Sequence, residues 1–162
     1  MSENKLRIYP DPVLREANEE ISLFDEAFRS FVEEMKALMY AYDGLGLAAP
    51  QIGVNRSVAV VAYEGREYVL VNPRITAASG SQSDEEGCLS FPGLFEKVLR
   101  PETITVEALD EKGGRQVIEA KGLLARAFAH EIDHLNGVLL IDHLTPLRRT
   151  FAKKKFRRLQ EA

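Results

Sequence analysis

Two of the chain's three histidines stand four residues apart in His130-Glu131-Ile132-Asp133-His134. On a helix, residues four apart share a face, so both imidazoles can reach one divalent metal ion. Glu131 is then placed to act as a general base on water beside that ion. The same spacing also arises by chance on helices. A catalytic metal usually takes three protein ligands and keeps one position open, so a third ligand is required. In the extended form H-E-x-x-H-x-x-G-x-x-H the glycine is matched by Gly137, but the last position is Leu140 and His143 lies three residues too far. A downstream glutamate is also missing, because Glu161 is the only one after Glu131. The search therefore turns upstream, to the single cysteine in Glu86-Gly87-Cys88-Leu89-Ser90. A lone cysteine is more often a small buried hydrophobe than a ligand. Cys88, however, follows a glycine in a polar stretch, 81–86, which favours the ligand role. A thiolate with two imidazoles suits Zn(II) or Fe(II).

A third segment, Gly44-Leu45-Gly46-Leu47-Ala48-Ala49-Pro50-Gln51-Ile52-Gly53, has small residues that let backbone approach a ligand and an amide donor in Gln51. A tight helix-to-strand turn explains the same glycines. The elements around these segments follow from periodicity. Phe24, Phe28, Phe31, Val32, Met35, Leu38, Met39 and Tyr42 recur at helical spacing, with Ser22 or Asp25 as cap and Gly44 and Gly46 as stop. Residues 57–63 and 68–71 are β-branched runs joined by a hairpin turn at Glu64-Gly65-Arg66. Residues 103–109 alternate as a strand, 110–114 turn, and 115–120 return. A helix carrying the histidine motif runs from Gly122 to about Asn136-Gly137. Thr145-Pro146 then caps a last helix over about 147–160. This order is α+β: antiparallel sheets packed around a central H-E-x-x-H helix, with an N-terminal and a C-terminal helix.

The 162 residues, 45% hydrophobic and 28% charged, suit one domain over 1–162 and exclude a disordered or collagen-like chain. No apolar run approaches a membrane span, no signal peptide is read at the N-terminus, and one cysteine fits a reducing compartment. A cytoplasmic protein is expected, with no membrane partner. The net charge of −4 is divided unevenly: −10 over 1–146 and +6 over 147–162. The basic tail could neutralise phosphates or simply form a solvated helix face. Leu147, Phe151 and Leu159 are expected to form the tail's apolar seam, with Phe156 near its edge, so that deleting 148–162 leaves small-substrate chemistry intact.

Taken together, the segments GLGLAAPQ, EGCLS and HEIDH, in this order and at these separations, resemble the peptide deformylases. The similarity extends from Tyr9-Pro10-Asp11-Pro12-Val13-Leu14 through Asn72-Pro73 to Leu144-Thr145-Pro146-Leu147. Phe91-Pro92-Gly93 and Arg126 resemble the branch shared by plant organelles and some bacteria. Ala129 departs from the family, which usually has glutamine there. The resemblance implies a hydrolase that removes the formyl group from the N-terminal methionine of nascent peptides. Cys88, His130 and His134 would hold one divalent metal, Fe(II) in cells, with Zn(II), Ni(II) or Co(II) as substitutes. Glu131 would be the general base, with Gln51 and the Leu89 backbone N–H stabilising the oxyanion. The peptide would lie along Leu45-Gly46 and Gly87, its methionine side chain entering a pocket near Leu45, Leu123, Ala127 and His130. The aliphatic stem of Arg126 would line that pocket while its charge stays solvated. Glu86 and Arg100 would pair to brace the Cys88 loop. The basic terminal helix, 146–160, would face the ribosome near its exit tunnel; no DNA partner is expected. Against this stand a zincin-type endopeptidase, which lacks its downstream ligand, a closed structural metal site, which lacks a fourth ligand, and a non-catalytic nucleic-acid module, which leaves the metal residues unexplained.

Overall fold

The computed structural model describes residues 4–162. Helix α1 (Glu26–Ala41) is capped by Asp25, whose side chain accepts from the Phe28 backbone N–H at 2.9 Å. Its apolar positions Phe28, Val32, Met35 and Met39 are buried, as the 3.6-residue period requires. Seven strands follow: β1 (Gly46–Ala48), β2 (Val58–Tyr63), β3 (Arg66–Ser79), β4 (Gln82–Gly87), β5 (Phe95–Arg100), β6 (Thr103–Leu109) and β7 (Arg115–Lys121). Helices α2 (Gly122–Leu135) and α3 (Pro146–Glu161) complete the order. All strand pairs are antiparallel. They form one sheet in the order β1-β2-β3-β6-β7 and a separate two-stranded sheet of β4 and β5.

The larger sheet is covered on both faces, which explains why its central strands read as unbroken apolar runs. Val58, Val60, Val69 and Val71 pack toward α1. The alternate residues Val61 and Leu70 pack with Leu124, Phe128 and Ile132 of α2. At roughly 1.5–3 kcal/mol per fully buried aliphatic or aromatic side chain, this double burial is what fixes α2 against the sheet.

Several expectations are corrected. Strand β3 extends to Ser79, beyond the apolar run 68–71; its second half is exposed, so no run of buried residues marks it in the sequence. The β2–β3 turn is Glu64-Gly65, both with positive φ (50° and 77°), the geometry of the tight hairpins whose twist matches the strands. The segment at Gly44–Gly53 is neither a simple turn nor a loop, but β1 followed by a 3-10 turn over Ala49–Ile52. The polar stretch before Cys88 is strand β4, in which only Glu86 is buried. In α3, Leu147 (66% exposed), Phe151 (60%) and Leu159 (40%) do not form the docking seam; Ala152 and Phe156 are the buried pair. They join a third cluster with Phe91, Leu94 and Val98, where Phe156 meets the Phe91 ring edge-on at 5.3 Å.

Candidate metal centre and active site

Helix α2 carries Arg126, His130 and His134 at successive four-residue steps, so all three project from one face. Cys88 follows directly on β4, and two residues earlier on that strand Glu86 points the same way. The result is a convergence: Cys88 Sγ, His130 Nε2 and His134 Nε2 all lie within 4.8 Å of one another. Sγ is 3.3 Å from His134 Nε2, which is 3.2 Å from His130 Nε2.

The surroundings of His130 decide what these atoms can bind. Its Nδ1 donates to Glu86 Oε2 at 2.8 Å, so the proton of the neutral ring sits on Nδ1 and the Nε2 lone pair faces the other two donors. A ligating histidine held by a carboxylate in this way is the usual support of a metal site. Burial alone would lower the His130 pKa, but the charges of Cys88 and Glu86 override it and hold it well above the ordinary value. Burial, reinforced by the positive charges on His130 and Arg100, pushes His134 well below. Three donor atoms crowded together fit one divalent cation, which would take the place of the proton that the raised pKa keeps on His130.

Glu86 is the hub of a buried network. Arg100 donates to both its oxygens, at 3.1 and 2.7 Å, as expected for the proposed brace. Arg126 also donates to it, at 2.9 Å. Burial opposes ionisation of Glu86, yet its bonds to His130 and Arg100 hold the carboxyl far below the usual range. Arg100 reaches outward to Asp133 at 2.5 Å, and Asp133 accepts from His143 Nε2 at 2.7 Å. His143, excluded as a ligand by its spacing, therefore ends the network instead of joining the metal donors. The expectation for Arg126 is corrected: its charge is not solvated. The residue is 4% exposed, and its guanidinium is bonded to Glu86 and to the Val98 carbonyl at 3.0 Å.

These groups open into a cavity of about 530 Å³. Of the residues assigned to the site from sequence, all but the buried His134 line it: Cys88, Leu89, His130 and Glu131 at the donor end, with Gln51, Leu45 and Gly46 beside them, and Gly87, Leu123, Arg126 and Ala127 around them. Glu131 is buried, and among the described residues its Oε1 has no hydrogen-bond partner; burial raises its pKa to about 7. Gln51 is locked by accepting from the Ala48 N–H at 3.0 Å, so its amide nitrogen faces Ser90 Oγ (3.2 Å) and Cys88 Sγ (3.6 Å). Ser90 and Asp133 were given no role from sequence, and His143 was weighed only as a metal ligand. The one available signal was strand alternation, which places Glu86 and Cys88 on one face. Ala129 is buried among apolar side chains of the α2 cluster.

A cysteine sulfur, two imidazoles and a buried carboxyl beneath an open cleft, on an α+β frame, define a metal-dependent hydrolase. The polypeptide deformylase family model matches residues 4–150. A peptide deformylase of Thermodesulfovibrio yellowstonii is 45% identical over 158 residues, covering 94% of this chain and 96% of that protein. One from Brucella suis is 44% identical, covering 98% and 94%. The crystal structure of a Legionella pneumophila peptide deformylase superposes with a TM-score of 0.93 at 40% identity, covering 99% of this chain and 96% of that one. The chain belongs to the polypeptide deformylase family. It is an enzyme that hydrolyses the formamide at the N-terminal formylmethionine of nascent polypeptides and releases formate.

Proposed function

We propose that Cys88, His130 and His134 hold the catalytic metal, Fe(II) in the cell, and that Glu131 is the general base. The convergence of three donor atoms within 4.8 Å, beside an unpaired buried carboxylate, carries this reading. When bound, the ion polarises the formyl oxygen and makes a neighbouring water acidic. Glu131 takes the proton of the attacking water and delivers it to the departing amine as the C–N bond breaks. The Gln51 amide and the Leu89 backbone N–H donate to the oxygen that gains charge.

Two unpaired strand edges border the cavity: β1, at the end of the large sheet, and β4, paired only with β5. The peptide lies between them as an added strand, with the methionine side chain against Leu45, Leu123, Ala127 and His130. Residues 1–162 work as one catalytic domain in the cytoplasm; among the described residues no helix is long and apolar enough to cross a membrane. The basic helix 146–160 faces the ribosome. Its Lys153, Lys154, Lys155, Arg157 and Arg158 make no ion pair among the described residues, whereas Arg148 and Arg149 bond to backbone carbonyls of the body.

Metal removal tests the core of this reading. Chelated protein should release no formate from a formyl-Met tripeptide, and anaerobic Fe(II), or Zn(II), Ni(II) or Co(II), should restore release without cleavage of an internal peptide bond. Full activity in demonstrably metal-free protein would overturn it.

A further inference from the structure

The cavity is not lined as a purely apolar slot. Arg126 and its partner Glu86 both form part of the wall, beside Leu123, Ala127 and His130. A guanidinium has five N–H donors. Glu86 and the Val98 carbonyl take two of them. The charges of Arg100 and Arg126 face the carboxylates of Glu86 and Asp133. Three N–H groups of Arg126 therefore have no hydrogen-bond partner among the described residues, in a side chain that forms part of the cavity wall.

We propose that Arg126 sets specificity at the methionine pocket by donating to the sulfur-bearing end of the first side chain, and that the enzyme consequently also deformylates peptides beginning with N-formylmethionine sulfoxide. This rests on the pocket assignment made above. A thioether is only a weak acceptor, so for methionine the contribution is small. Oxidation converts that position into a strongly polar one. An apolar pocket would exclude it, because a buried polar group without a partner carries a desolvation penalty; a pocket with an idle N–H does not. The reaction itself is unchanged. Water adds to the formyl carbon, the C–N bond breaks, formate and the free amine leave, and the oxidation state of sulfur is untouched.

The test compares kcat/KM for three formylated tripeptides beginning with methionine, methionine sulfoxide or norleucine. Wild type, Arg126→Leu and Arg126→Lys are each corrected for bound metal. Arg126 also braces Glu86, so overall rates fall in the variants; ratios between substrates within one protein cancel that loss. Wild type should turn over the sulfoxide within about tenfold of methionine. Arg126→Leu should lower the sulfoxide-to-norleucine ratio by about tenfold or more, and Arg126→Lys should recover part of it. A wild-type enzyme that rejects the sulfoxide by about a thousandfold overturns the proposal, even if neither variant folds. An unchanged ratio in Arg126→Leu also overturns it, and assigns Arg126 to bracing Glu86 alone. Ala127→Leu should depress all three substrates together; if it affects none, the pocket assignment itself fails, and the proposal with it.

Discussion

Glu131, the proposed base, is set apart from other polar groups by its burial. In the metal-free protein burial raises its pKa to about 7 from an ordinary 4.5. Replacing it with glutamine should leave metal content unchanged and lower formate release by about 10²–10⁴-fold. Near-normal activity with full metal content would show that another group is the base. The same shift has a stability consequence in metal-free protein. A raised carboxyl pKa stabilises the fold fully below about 4.5, and that contribution is lost as pH rises through about 7. Between pH 5 and 8, metal-free Glu131→Gln should therefore gain on wild type by about 3 kcal/mol, measured by denaturant melts at each pH. At this scale most of the site was legible, because metal ligands and bases come from few residue types at fixed spacings. The Arg126 head group was not: a side chain that could reach solvent or a buried carboxylate carries no mark in the sequence of which it does.

At the scale of elements, β1 and α2 are pressed together at Gly46. A Cβ there would lie 2.7 Å from Glu131 Oε2 and 2.9 Å from its Cγ, so the base must move to admit it. Misplacing a catalytic group by about 1 Å can cost roughly 10²-fold. Gly46→Ala should thus lower turnover by about 10–100-fold while metal content stays intact, read by formate release alongside metal analysis. Helices α1, α2 and α3 were readable because each has a cap signal and at least one buried stripe or chemical motif. Strand β1 is three residues long, too short for any period. Strands β4 and β5 are largely exposed, burying one and two residues respectively, so no alternation of apolar and polar residues announces them. Their pairing is set by main-chain hydrogen bonds and by the Glu86–Arg100 bond, neither of which is a hydropathy signal.

For the molecule as a whole, α3 is both part of the core and a charged exterior. Phe156 and Ala152 are buried with Phe91 and Leu94, in the segment that follows Cys88. The expectation that deleting 148–162 leaves small-substrate hydrolysis largely intact while weakening ribosome binding therefore needs two separate tests. Phe156→Ala should destabilise the fold by about 3–5 kcal/mol, seen as a lowered thermal midpoint. Reversing Lys153, Lys154, Lys155, Arg157 and Arg158 to glutamate leaves that packing untouched. Such a variant should hydrolyse a formylated tripeptide normally and lose salt-sensitive co-sedimentation with ribosomes. Equal co-sedimentation of both proteins at low salt would make the helix merely solvated. The sequence showed the charge but misplaced the seam. A helix with two buried side chains leaves more apolar residues outside than in, so composition alone points to the wrong face.

The two strand edges that border the cavity carry a further consequence. An exposed edge offers its main chain to any extended polypeptide, which in most proteins is a route to fibres. Here β1 and β4 border one gap, and a single strand placed between them satisfies both. A strand seated there has a neighbour on each side, so no second chain can add at this gap, whereas β5 and β7 remain edges elsewhere. Because main-chain groups are common to every sequence, a peptide held in the proposed way would be gripped whatever its side chains, and the gap itself would not pass pairing on to another chain.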